Sequence, residues 1–171
     1  MLAMLALLAI LLLSTVLAAP HANTYALSWT GNPGSSGWIL GVPATFGNGQ
    51  VYNYTRVPDG TPVILGFPAA KFFWYAQAGN IGSPGELQIN HLGFTQCLDA
   101  GGGWDGQTVR IQKCTGKWAQ QWIVEGRNKQ VRLANSKMCL DVTDGDDHKA
   151  VQVWSCHRKG HKDYRNQQWF V

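Results

Sequence analysis

Cys139-Leu140-Asp141, then Val151-Gln152-Val153-Trp154-Ser155-Cys156, then Asn166-Gln167-Gln168-Trp169: this stretch decides the fold, because the chain has already run through it once. Cys97-Leu98-Asp99 precedes it, followed by Val109-Arg110-Ile111-Gln112, Cys114 and Gln120-Gln121-Trp122 in the same order. Each Cys-Leu-Asp is followed by a second cysteine 17 residues on. A sequence that repeats at this period builds one structural unit several times and buries its core between the copies. Val151 and Val153 alternate with Gln152 and Trp154, the period-2 signature of a half-buried strand, which turns the two valines inward and the tryptophan outward.

A third, worn copy precedes these two. Trp38-Ile39-Leu40-Gly41 stands where Cys-Leu-Asp should be, Thr61-Pro62-Val63-Ile64-Leu65 supplies the strand, and Phe72-Phe73-Trp74 takes the place of Gln-x-Trp. Trp74, Trp122 and Trp169 are then spaced by 48 and 47 residues. The first copy has no cysteines and carries an insertion from Phe46 to Arg56, so it must rely on packing by Phe67, Phe72, Phe73 and Trp74. Four cysteines allow three pairings. The equal spacing favours the local pairs Cys97–Cys114 and Cys139–Cys156, each stapling its own hairpin and each worth about 3 kcal/mol in the chain-entropy model.

The rest of the chain fits a small all-β protein. Its 171 residues suit one domain. Charged residues make up 14 %, well below the roughly 25 % of an average soluble protein, while Gly (20), Trp (8) and Tyr (5) are plentiful. The opening MLAMLALLAILLLSTVLAAPHA is apolar and breaks into small residues and Pro20. It reads as a secretory signal peptide over residues 1–19, which leaves no membrane span after cleavage and places the protein outside the cell. An even cysteine count agrees with secretion. Asn53-Tyr54-Thr55 is an N-glycosylation acceptor in the insertion of the first unit.

The pattern Cys-Leu-Asp … Val-x-x-Trp-x-Cys … Asn-Gln-x-Trp resembles the ricin B-type lectins, the Gln-x-Trp family of carbohydrate-binding modules. The resemblance covers roughly residues 36 to 171 and is strongest in the last two units. It implies a β-trefoil over residues 24–171, with repeats at roughly 36–80, 87–128 and 129–171, the first degenerate. It also implies a glycan-binding protein rather than an enzyme. Galactose- or N-acetylgalactosamine-terminated glycans are the first expectation, with plant polysaccharides such as xylan close behind.

A sugar is held by an aromatic ring on its C–H face and by carboxylate and carboxamide groups on its hydroxyls, the carboxylate bonds being charge-assisted. By the resemblance, Asp141 is the carboxylate, Trp154 the platform, Asn166 a further hydroxyl contact, and Gln167 and Gln152 the supports of the aspartate. The second unit keeps Asp99 and Gln120, but Gln112 stands where the ring should be and Ala119 replaces the asparagine. Trp104, on the loop Gly101-Gly102-Gly103-Trp104-Asp105-Gly106, is the one substitute platform, so Asp99, Trp104 and Gln120 form a weaker second candidate. The first unit has Gly41 for the aspartate and Gly66 near the platform position, and reads as inert.

Other chemistry has little footing. Asp144, Asp146 and Asp147 crowd one Gly-containing loop and do not make the separated carboxylate pair of a glycosidase. His157 and His161 lie four apart in a loop with Gly160 and no evident third ligand, so no metal is expected, and no cofactor motif appears. With the cysteines paired, no thiol nucleophile remains, and there is no nucleophile elbow. The net charge of +4 has one dense group, His157 to Lys162, which reads as a solvated loop rather than an organised nucleic-acid surface. Two rival readings share the fold: a trefoil that has lost sugar binding and serves as a protease inhibitor or protein scaffold, and a module that assists a separate glycosidase. Oligomeric state is not legible in the sequence.

Overall fold

Three backbone hydrogen bonds form a ring that ties the three units together. Val63 N donates to Val109 O, Val109 N to Val151 O, and Val151 N to Val63 O, at 3.0, 2.9 and 2.9 Å. All three valines are fully buried. They are the first inward residues of the three alternating strands, so the pseudo-threefold axis passes between them.

The structure is a computed structural model that describes residues 25–29, 38–43, 57–66, 73–75, 77–78, 81–91, 94–146 and 149–170. The signal-peptide segment, the Asn53 acceptor, the Phe46–Arg56 insertion and the side chains of Phe67, Phe72, Phe73 and Trp74 lie outside that description. The strands are β1 (Tyr25–Ala26), β2 (Ser28–Trp29), β3 (Trp38–Pro43), β4 (Ile64–Gly66), β5 (Phe73–Tyr75), β6 (Gln77–Ala78), β7 (Leu87–His91), β8 (Phe94–Asp99), β9 (Gln107–Thr108), β10 (Arg110–Lys113), β11 (Trp122–Val124), β12 (Val131–Leu133), β13 (Met138–Asp141), β14 (Gln152–Ser155) and β15 (Trp169–Phe170). Three short 3-10 turns, at Trp118–Gln120, Thr143–Gly145 and Tyr164–Gln167, complete the described elements. The protein is all-β, as expected, and no helix among the described residues is long and apolar enough to cross a membrane.

The strands form three antiparallel sheets, and each borrows from a neighbouring unit. β11 ends the second unit by pairing with β12 of the third, and β15 ends the third by pairing with β2 at the start of the domain. Trp169 lies opposite Trp29 in that last pair, which closes the ring of units. The central hairpins share one register: Leu40 faces Leu65, Leu98 faces Ile111, and Leu140 faces Val153. Each of these six side chains is buried, and with the axial valines they form the centre of a core that also takes in Trp122 and Trp169. The indole N–H of Trp122 donates to Leu98 O, and that of Trp169 to Leu140 O, both at 3.1 Å. The Gln-x-Trp tryptophan is therefore a tie between the two ends of its unit as well as a packing element.

Both expected disulfides form, Cys97–Cys114 and Cys139–Cys156. One alignment changes. Trp74 does not take the place of Trp122 and Trp169, because it pairs with Val42 inside its own unit. It is Gln77 and Ala78 that cross to β7 of the next unit. In the later units a 3-10 turn shortens the chain just before the tryptophan, whereas Phe73–Tyr75 continues extended along β3. Aromatic residues favour a pleated surface over a tight turn, so the tryptophans share a spacing without sharing a place.

Candidate functional site

Asp141 ends β13, opposite Gln152 of β14, where the hairpin of the third unit opens at its rim. Its residue is only 3 % exposed. Two carboxamides hold the carboxylate: Gln152 Nε2 donates to Oδ1 at 3.0 Å and Gln167 Nε2 to Oδ2 at 3.1 Å. Gln167 is itself immobilised. It also donates to Ser155 O, while its own Oε1 accepts from His157 N at 2.8 Å and Gln130 Nε2 at 3.0 Å. Burial raises the Asp141 pKa above the ordinary aspartate value, and the bonds from Gln152 and Gln167 and the nearby His157 only partly offset it. Among the described residues no cation forms an ion pair with it, so its remaining lone pairs face the cleft.

That cleft has a volume of about 250 Å³, and Asp141, Gln152, Trp154 and Asn166 all line it. Trp154 projects from β14 on the face opposite the buried Val153 and is 38 % exposed, as the alternation implies. It is braced from the second unit: a Cβ on Gly106 would lie 3.6 Å from its ring, and Asp105 accepts from Ser155 N at 2.6 Å and Ser155 Oγ at 3.0 Å. Asn166 is 6 % exposed and makes no side-chain hydrogen bond among the described residues. Gly145, at φ +68°, presses against it, and a Cβ there would sit 2.9 Å from Asn166 Oδ1. Only glycine permits both that approach and that backbone. A nearly buried carboxamide left without a partner is costly unless something arriving in the cleft satisfies it.

The geometry thus gathers Asp141, Gln152, Trp154, Asn166 and Gln167, with Gln167 behind the aspartate. It adds four lining residues that the sequence reading missed, Asp144, His157, Lys162 and Asp163. Asp144 stands in the left-handed region at φ 56° and pairs with Lys149 at 2.8 Å. No repeat pattern marks these four, because they come from loops in which the units differ.

The second candidate is built differently. Gln120 Nε2 donates to Asp99 Oδ2 at 3.0 Å, matching Gln167 in the third unit. Gly101 N caps Oδ1 at 2.9 Å, and the Lys117 ammonium meets Oδ2 at 2.8 Å. Arg110, at the register position of Gln152, turns away to Gly60 O. Trp104 is 62 % exposed, with its ring over Gly102. Asp99 therefore serves as a turn cap and ion-pair partner, and Ala119 stands where the third unit has the unpartnered Asn166. In the first unit Gly41 and Gly66 take the expected register positions of the aspartate and the platform.

A third donor also stands beside the two histidines. His157, His161 and Asp163 bring ligand atoms within 4.8 Å of one another. The imidazoles stack at 3.9 Å with planes 7° apart, so their in-plane lone pairs run side by side instead of meeting at one ion. The other such group among the described residues, Glu86 with Cys97 and Cys114, has both thiols locked in their disulfide.

A family model described as the ricin-type beta-trefoil lectin domain matches residues 78–171. Among solved structures, a designed threefold-symmetric protein, ThreeFoil, superposes with a TM-score of 0.55 at 22 % identity, covering 85 % of this chain and 95 % of that one. The C-terminal half of an earthworm R-type lectin, solved in complex with GalNAc, superposes with a TM-score of 0.50 at 16 % identity, covering 86 % and 95 %. At these identities the two structures establish a shared β-trefoil fold. No curated protein sequence matches the chain.

Proposed function

The chain belongs to the ricin-type β-trefoil lectin domain family, and from that premise we propose that it is a secreted lectin with one working sugar site, in its third unit. The observation that carries this reading is the contrast in how the two repeated carboxylates are occupied. Asp99 is taken up by Lys117 and Gly101, while Asp141 is held only by carboxamides and opens onto a cleft with an exposed indole and an unpartnered asparagine. Trp154 stacks on the apolar face of a pyranose, Asp141 accepts from two of its hydroxyls, and Asn166 supplies a further bond. Gln152 and Gln167 keep the carboxylate aimed. Two disulfides and the apolar first residues support an extracellular location.

Galactose- or N-acetylgalactosamine-terminated glycans are the first substrates to test, on the family resemblance and on the sugar in the earthworm lectin complex. A glycan array comparing the wild type with Trp154→Ala tests the reading. The wild type binds a defined glycan, and the variant, folded by circular dichroism, loses it by about tenfold or more. Binding that survives the substitution moves the site to Trp104. A folded wild type that binds no glycan ends the lectin reading and makes protease inhibition the next assay.

A further inference from the structure

Behind the sugar cleft lies a second cavity, of about 650 Å³, with the opposite electrostatic character. Arg127, Lys129, Arg158 and Lys159 line it, and no carboxylate does. The turn before β12 brings the first two and the turn after β14 the last two, so the sequence separates what the fold collects. None of the four has an ion pair among the described residues. Lys129 is held in place with its ammonium 3.7 Å above the Phe170 ring, and its carbonyl accepts from Trp169 N at 2.7 Å. Tyr164 Oη reaches Asn128 O across the same region at 3.3 Å.

The two cavities share His157, which lines both. The wall between them is a short relay of buried amides: Gln130 Nε2 donates to His157 O and to Gln167 Oε1, and Gln167 in turn holds Asp141. Asp141, Asp144 and Asp163 face the sugar cleft against Lys162, and with Asp144 paired to Lys149 the balance there is still negative, which disfavours an anionic sugar. On the far side of His157 the same anion meets four cations. Like-signed charges lining one cavity without ion-pair partners among the described residues repel one another, and an entering anion relieves this.

Resting on the lectin reading above, we propose that the ligand is an acidic glycan. A neutral terminal sugar occupies the Asp141 cleft, and the adjoining residue, bearing a sulfate ester or a carboxylate, lies across His157 in the cavity of Arg127, Lys129, Arg158 and Lys159. The shared chemistry is an oxyanion on a sugar, which arginine binds through paired N–H groups.

The test is titration calorimetry with three disaccharides that share a non-reducing N-acetylgalactosamine: neutral, sulfated on the second residue, and with a uronate as the second residue. The same three are built on galactose. At low ionic strength an acidic member binds about tenfold tighter than its neutral counterpart, and the advantage shrinks as salt is added. The sulfated and uronate arms identify which oxyanion is preferred. Arg127→Ala combined with Arg158→Ala removes the advantage but leaves the neutral affinity unchanged, which also reports correct folding. Lys159→Gln, on an exposed turn, gives a smaller loss in the same direction. Equal affinity for neutral and acidic members overturns the proposal and leaves the lectin reading standing. Acidic binding that survives Trp154→Ala, or is matched by an oligonucleotide of equal charge, also overturns it, since the cavity is then an unspecific anion surface. If none of the six sugars binds, this proposal falls, and the glycan array decides the lectin reading separately.

Discussion

The second and third units have the same disulfide, the same Cys-Leu-Asp hairpin register and the same glutamine behind the aspartate, yet only the third is open. The difference lies in a few neighbours. Lys117 supplies a cation where the third unit has none within ion-pair distance among the described residues, Gln112 replaces Trp154, and Ala119 replaces Asn166. The scaffold of a site and its occupancy are thus separable: the repeat maintains the first in both units, and loop residues decide the second. The closed unit still contributes, because its glycine-rich loop braces Trp154 and Ser155 of the open one.

The two units should behave alike where their scaffolds agree. Replacing Cys97 and Cys114 by serine, or Cys139 and Cys156, should each lower stability by about 3 kcal/mol in denaturant unfolding. A large inequality between the two would show that one hairpin is held mainly by its packing. They should differ sharply at the carboxylate. Asp141→Asn is expected to weaken glycan binding about 100-fold by calorimetry, as charge-assisted bonds to two hydroxyls become neutral ones, while Asp99→Asn leaves binding unchanged. Similar losses from both substitutions would mean that the second unit also binds.

Acid should close the third site as well. Because burial raises the Asp141 pKa, its carboxylate is protonated at a pH where an ordinary aspartate is still ionised, and affinity should fall as the pH drops through that raised value. The sign for stability is the reverse. A carboxyl that binds its proton more tightly in the folded state favours folding increasingly as pH falls through that window, so the loss of binding there is not local unfolding at Asp141. Thermal melts beside binding titrations from neutral pH downward check both. The smallest effect belongs to Lys117→Ala, which should cost less than about 1 kcal/mol because its ammonium is half exposed. Combined with Gln112→Trp and Ala119→Asn, it should open a weak second site, detectable as a stoichiometry rising from one towards two. If stoichiometry stays at one, the loops of the third unit, Asp144 and Asp163 among them, are also required.

Most of the fold was legible because the repeat preserves what the core needs. Leu98 and Leu140, Ile111 and Val153, Trp122 and Trp169 recur because each packs against its counterparts about the axis, and the cysteines recur because each closes the same hairpin. The first unit was harder to read: with no cysteine to fix its register, the spacing of Trp74 matched the later tryptophans while its backbone pairing did not. Asp141, Gln152, Trp154, Asn166 and Gln167 could be picked out for the same reason, as they lie on or beside the repeated strands. His157, Lys162 and Asp163 could not, since nothing in a loop's sequence says which wall it will line.

By itself, then, the sequence determined an all-β, three-unit architecture and its two bridges, and it picked out the third-unit residues that the proposed sugar site uses. These depend on local pattern and on repetition, which order along the chain records. Only the tertiary structure decided that Lys117 occupies Asp99, that Gly106 backs Trp154 from the neighbouring unit, and that Arg127 and Lys129 meet Arg158 and Lys159 beside His157. Electrostatics and packing act through distances in space, and residues 18 to 50 positions apart become neighbours only when the three units close around their shared axis.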